Sequence, residues 1–202
     1  MASTSAPPTR RGALIVVEGL DRAGKSSQYR TTPIGQLIDS YLRGTSHLDD
    51  LSIHLLFSAN RWEIAKSIEE DITNGTTVIV DRYSYSGVVY SAAKANPALS
   101  LEWAWQPEIG LPRPDICLFL SISPEEAAKR GGFGAERYEN EAMQTRVREL
   151  FRTIFEKQQD VSIIDAGKSI DEVSQEIQGA VAGCIARLDV TGPLKKLGPL
   201  TN

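Results

Sequence analysis

Gly19-Leu20-Asp21-Arg22-Ala23-Gly24-Lys25-Ser26 sets two glycines, a lysine and a hydroxyl at the spacing G-x-x-x-x-G-K-[ST], a spacing that suits polyphosphate. Glycines let the backbone turn tightly, so that successive N–H groups point at phosphate oxygens. A helix opening at the end of the loop would add its positive N-terminus. In such a loop Lys25 reaches the β- and γ-phosphates and Ser26 ligates Mg²⁺. Gly19, Asp21, Arg22, Ala23, Gly24 and Ser27 complete the nucleotide-binding stretch, and the ligands read as ATP with Mg²⁺. Arg22 fills a variable position. It is either an arginine finger supplied in cis to the transferring phosphoryl or a solvated surface arginine.

Asp81-Arg82-Tyr83 is the second group. An aspartate at the carboxyl end of a parallel strand faces the ligand crevice of an open α/β sheet. There Asp81 can hold Mg²⁺ through water, and the fork of Arg82 can grip a phosphate. A plain strand-end turn also favours aspartate, so the tripeptide alone does not decide. His47 and His54 lie near or in a helical stretch with no partner in the sequence, and read as structural.

Alternating strands and helices must position these groups. Continuous apolar runs at Ala13–Val17, Thr77–Val80, Ile116–Ile122 and Val161–Ile164 have the pattern of buried parallel strands. Helical patterns lie between and after them. Thr32-Pro33 supplies cap and first turn for a helix to Leu42, and Leu51–Ile72 is a long helix stopped by Asn74-Gly75. Further helices are predicted at Ser84–Ala95, from Ser123, at Asn140–Lys157 and at Ser169–Leu188. The alternation predicts an α/β fold with a mainly parallel sheet. Residues 12–190 form the expected domain, with surface tails over 1–11 and 191–202 and a loop around Gly131–Gly134.

Composition narrows the partners. With 202 residues the chain fits one domain. A net charge of −4 argues against a nucleic-acid polymer. No apolar run approaches the ~18 residues of a membrane helix, and the opening stretch has no apolar core of a signal peptide. Cys117 and Cys184 lack motif spacing and read as small core residues in a reducing compartment. The expected location is intracellular, cytoplasmic or nuclear.

Five segments occur in order: Glu18–Ser26, Leu56–Glu63 (Leu-Phe-Ser-Ala-Asn-Arg-Trp-Glu), Asp81–Gly87 (Asp-Arg-Tyr-Ser-Tyr-Ser-Gly), Leu111–Asp115 and Glu136–Asn140. The set resembles the thymidylate kinase family, in particular its eukaryotic members. The resemblance implies a three-layer P-loop NTPase fold of the nucleoside monophosphate kinase kind and transfer of the ATP γ-phosphoryl to dTMP. It implies that Phe57 stacks on thymine, Arg61 bonds its edge, and Arg30 and Arg82 grip the dTMP phosphate. By the same resemblance Asp21 accepts from the 3′-hydroxyl, Tyr83 and Tyr90 crowd the sugar, and Gly87 lies at the acceptor site. Residues 130–138 are the implied lid, with Arg130 near adenine, while Tyr138 and Gln144 close the acceptor side. A homodimer through the long helix is also implied. From pattern alone, Phe57 and Tyr90 read equally as core. A related nucleotide or deoxynucleoside kinase, or a nucleotide binder without catalysis, stays open as an alternative.

One interval departs from the family. Pro33 follows Ser26 by only seven positions, whereas a helical crossover between parallel strands needs ~10–12 residues. The family's first full helix and second strand cannot fit, a shortfall of roughly 20 residues. The sheet is therefore expected to lack an edge strand and most of the first helix. Apolar surface on Ala13–Val17 and Thr77–Val80 should be exposed, with reduced stability and low kinase activity.

Overall fold

A computed structural model describes residues 10–20, 31–129, 141–156, 158 and 160–200. Four strands, β1 (Leu14–Gly19), β2 (Val78–Asp81), β3 (Ile116–Ser121) and β4 (Val161–Asp165), form one parallel sheet in the order β2-β1-β3-β4. The helices are α1 (Pro33–Leu42), α2 (Asp50–Thr73), α3 (Ser84–Ala92), α4 (Leu101–Trp105), α5 (Pro124–Lys129), α6 (Glu141–Phe155) and α7 (Ile170–Arg187). One short 3₁₀ turn, Gln106–Glu108, follows α4.

Local chemistry sets the helix ends. The Thr32 hydroxyl accepts from Gly35 N at 3.0 Å, with Pro33 in the first turn of α1. Asp49 caps α2 by accepting from Leu51 N and Ser52 N. Ser169 and Glu172 form a reciprocal capping box at the start of α7. α3 stops at Ala92, three residues short of the expected Ala95, which takes a left-handed φ of 59°.

Both faces of the sheet carry apolar side chains, and the two layers differ in extent. Leu14, Val16, Cys117, Phe119 and Ile164 pack against α2, α3 and α6 in the larger core. On the other face Ala13, Ile15, Ile116 and Leu118 meet Ile177, Ala180, Val181 and Cys184 of α7. Thus β1 is buried, against expectation, because α7 spans it. The expected exposure falls on β2: Ile79, register partner of Ile15, is 68% exposed. Among the described residues no strand pairs with the outer side of β2.

The segment after Gly192, expected as a loose surface tail, is held. Leu197 is buried in the larger core, its N–H bonds Leu111 O at 2.9 Å, and Trp105 Nε1 donates to Gly198 O at 2.8 Å.

Candidate active site

The strand order reverses at β1, so the crevice of this sheet opens at the carboxyl ends of β1 and its neighbours. Gly19 closes β1 there, and an added Cβ would lie 2.6 Å from Leu120 O. Only glycine lets the chain leave the strand so close to β3. Of the predicted phosphate loop, Gly19 and Leu20 are described. Asp21, Arg22, Ala23, Gly24, Lys25, Ser26, Ser27 and Arg30 lie outside the described residues, as do Arg130, Tyr138 and the expected lid.

Asp81 ends β2, and the next residue, Arg82, adopts φ 59°. A non-glycine residue in this region carries strain of order 1–3 kcal/mol unless its surroundings hold it. They do. Arg82 N donates to Val17 O at 2.9 Å, and its Nη1 donates to Ser86 Oγ at 3.1 Å. Its guanidinium carbon lies 5.1 Å from the centroid of Tyr90, a cation–π contact. Asp81, Arg82 and Tyr90 thus occupy one neighbourhood at the end of β2.

A groove of about 340 Å³ runs between α2 and the outer side of β2, lined among others by Phe57, Arg61, Val80, Asp81, Arg82 and Tyr83. Five sequence-predicted residues therefore share one cavity: Phe57, Arg61, Asp81, Arg82 and Tyr83. Phe57 also packs against the cluster of Ile38, Tyr41 and Ile53, so it is both a groove wall and part of a small core. Tyr83 is buried, its hydroxyl has no hydrogen-bond partner among the described residues, and burial pushes its pKa well up. Gln144 is buried on α6.

Arg61 is more constrained than its sequence role suggests. Its Nε donates to Glu108 Oε2 at 2.7 Å and its Nη2 to Glu108 Oε1 at 2.6 Å, a bidentate pair with both side chains buried. The guanidinium lies on the backbone of α3, where a Cβ at Gly87 would meet Nη2, Nη1 and Cζ at 2.6–2.8 Å. Gly87 therefore belongs to this neighbourhood by close packing. Gly87→Ala is expected to destabilise the chain by about 1–3 kcal/mol, because it drives a methyl into a fixed fork. In a urea titration Gly179→Ala, with nothing within 4 Å of the added methyl, should show no loss. Equal effects of the two would mean that the fork moves freely.

Two carboxylates escaped the sequence reading. Glu108 falls in a short 3₁₀ turn with no periodic pattern, 47 positions from Arg61. Glu18 is fully buried in β1, and its Oε1 accepts from Tyr83 N and Ser86 N, each at 3.0 Å. Its Oε2 accepts from Ser86 Oγ. A carboxylate directly after the apolar run Ala13–Val17, before the glycine of the loop, was the available signal. His54 is structural as expected: it bonds Ser91 Oγ at 2.8 Å and Ala104 O at 2.9 Å. Burial first, and Arg61 second, hold its pKa below the usual range.

Known proteins resemble this chain in sequence and in fold. A family model described as thymidylate kinase matches residues 29–177. The thymidylate kinase of Arabidopsis thaliana is 46% identical over 208 aligned positions, covering 93% of this chain and 77% of that protein. The thymidylate kinase of Homo sapiens is 46% identical over 191 positions, covering 84% and 89%. Among solved structures, thymidylate kinase from Candida albicans superposes with a TM-score of 0.84 at 35% identity, covering 93% of this chain and 99% of that one. The Arabidopsis alignment, at 208 positions, is longer than the 202-residue chain itself. Part of that relative therefore has no counterpart here, and the family match starts at Tyr29, directly after Ser26-Ser27-Gln28.

Proposed function

The chain belongs to the thymidylate kinase family, and from that we propose that it transfers the γ-phosphoryl of ATP to dTMP, giving dTDP and ADP. The observation that carries this reading is Arg82, held at φ 59° beside a groove that also contains Phe57, Arg61 and Tyr83. Phe57 offers a face for the base, and the guanidinium of Arg82 matches phosphate oxygens. Tyr83 and Tyr90 crowd the sugar, and Gln144 closes the acceptor side. Across the crevice, Gly19 opens the loop in which Lys25 and Arg22 would bear on the transferring group.

An oxygen of the dTMP phosphate attacks Pγ, the bond from Pγ to the bridging oxygen breaks, and ADP leaves. The attacking oxygen is already anionic, so no strong general base is required. Catalysis is then positioning and charge stabilisation. Among the described residues no cluster of three His, Cys, Asp or Glu could hold a metal on its own. A lone strand-end carboxylate suits Mg²⁺, which binds through one or two protein oxygens plus substrate phosphates. Asp81 and Ser26 would hold it, and bound Mg²⁺ supplies charge neutralisation at the β- and γ-oxygens. Pairing of two copies through α2 is part of the proposal, supported by the exposed Leu55 and Trp62, two turns apart. A cytoplasmic or nuclear location is proposed with it.

The test is turnover with ATP against dTMP, dUMP, UMP and thymidine. dTMP is expected to be the preferred acceptor, at a rate below the ~1–100 s⁻¹ usual for kinases, because the interval from Ser26 to Pro33 is too short for the family's first full helix and second strand. Preference for thymidine would replace this reading with a deoxynucleoside kinase. ATP binding with no transfer to any acceptor would make the chain a nucleotide binder.

A further inference from the structure

Glu18 ends the apolar run of β1 one residue before the phosphate loop, yet its side chain points across to the start of α3. We propose that Glu18 is a positioning residue, which through Ser86 fixes the guanidinium of Arg82 for the acceptor phosphate. The inference rests on the reading of Arg82 as the phosphate grip.

Hydrogen-bond directionality carries the argument. Ser86 Oγ has one proton and two lone pairs. A carboxylate on one side can only accept, and a guanidinium on the other can only donate. Ser86 therefore gives its proton to Glu18 Oε2 and receives one from Arg82 Nη1 at 3.1 Å. The hydroxyl cannot rotate without losing both partners. Glu18 Oε1 meanwhile accepts from Tyr83 N and Ser86 N, so it also caps α3, whose own cap residue Tyr83 makes no side-chain bond. These bonds fix the backbone directly after the left-handed residue Arg82, between β2 and α3. One carboxylate thus ties the strand that feeds the donor loop to the arginine on the acceptor side.

A purely structural cap would support the whole groove, whereas a relay to Arg82 acts on the phosphate alone. Calorimetric titration of the full chain with dTMP and with thymidine separates the two. The intact chain should prefer dTMP. Ser86→Ala should lose about tenfold in dTMP affinity, the scale of one charge-assisted hydrogen bond, and leave thymidine within about twofold. Ser86→Thr keeps the hydroxyl and should keep the dTMP preference. Glu18→Gln, whose carbonyl oxygen would stay with Tyr83 N and Ser86 N and so turn its NH2 donor toward Ser86 Oγ, should behave like Ser86→Ala and serves if that variant fails to fold. A dTMP preference that survives both variants, equal losses for the two ligands, or no rescue by threonine overturns the relay alone. A wild-type chain that binds both ligands equally, or neither, overturns the acceptor-site reading and the relay together.

Discussion

Glu108→Ala is expected to destabilise the folded chain by about 3–5 kcal/mol, the range for removing one partner of a buried ion pair. The carboxylate accepts from both Nε and Nη2 of Arg61, and neither side chain reaches solvent appreciably. Truncation would strand a buried guanidinium whose way out is closed on one side by the α3 backbone at Gly87. Chemical denaturation of Glu108→Ala, Arg61→Ala and the double variant measures the coupling. The double variant should be less damaged than the sum of the single ones, since it leaves no unpaired charge. A loss below ~1 kcal/mol for Glu108→Ala would show that water reaches Arg61 in the groove. The pair also bears on recognition. With the Nε proton and one Nη2 proton committed to Glu108, three N–H donors remain, two on Nη1 and one on Nη2, and under the proposed function these would face an acceptor on the bound base.

Inserting a segment of roughly 20 residues, one helix plus a strand of the family's kind, between Gln28 and Tyr29 is expected to raise turnover with dTMP by two orders of magnitude or more, into the ~1–100 s⁻¹ range. The same change should raise the melting temperature by several degrees. Two physical effects combine. A full helix after Ser26 would seat the phosphate loop on a rigid element, and misplacement by about 1 Å can cost ~10²-fold in rate. An added strand beside β2 would bury Ile79, now 68% exposed, and full burial of such a side chain is worth about 1.5–3 kcal/mol. Enzyme assay and calorimetry of the extended and original chains side by side decide it. Equal activity of the two would mean that the six residues between Ser26 and Pro33 suffice, against the crossover argument.

Much of this framework was legible in the sequence because its signals are local. The four apolar runs became four parallel strands within a residue or two of their expected limits, and Thr32-Pro33 opened α1 as predicted. The shortened interval was also legible, since chain length bounds what can fit. What escaped depends on distant pairing. Glu108 meets Arg61 across 47 positions, from a turn too short to show a period. The two Gly-Pro pairs after Thr191 suggested a tail, but Leu197 found a seat beside Leu111 that no local pattern announces. The surface expected on β1 vanished because the length of α7 does not reveal where the helix crosses the sheet.

Among the described residues no strand covers the edge of the sheet at Val78–Asp81, where an isoleucine faces solvent, and an edge of that kind invites further strands to join it. Thr77-Val78-Ile79-Val80 has neither a proline nor a charge until Asp81 closes the run. Edge-to-edge association through that strand would lower the soluble yield as concentration rises. A chaperone pool that shields this stretch during synthesis would govern how much working protein a cell retains.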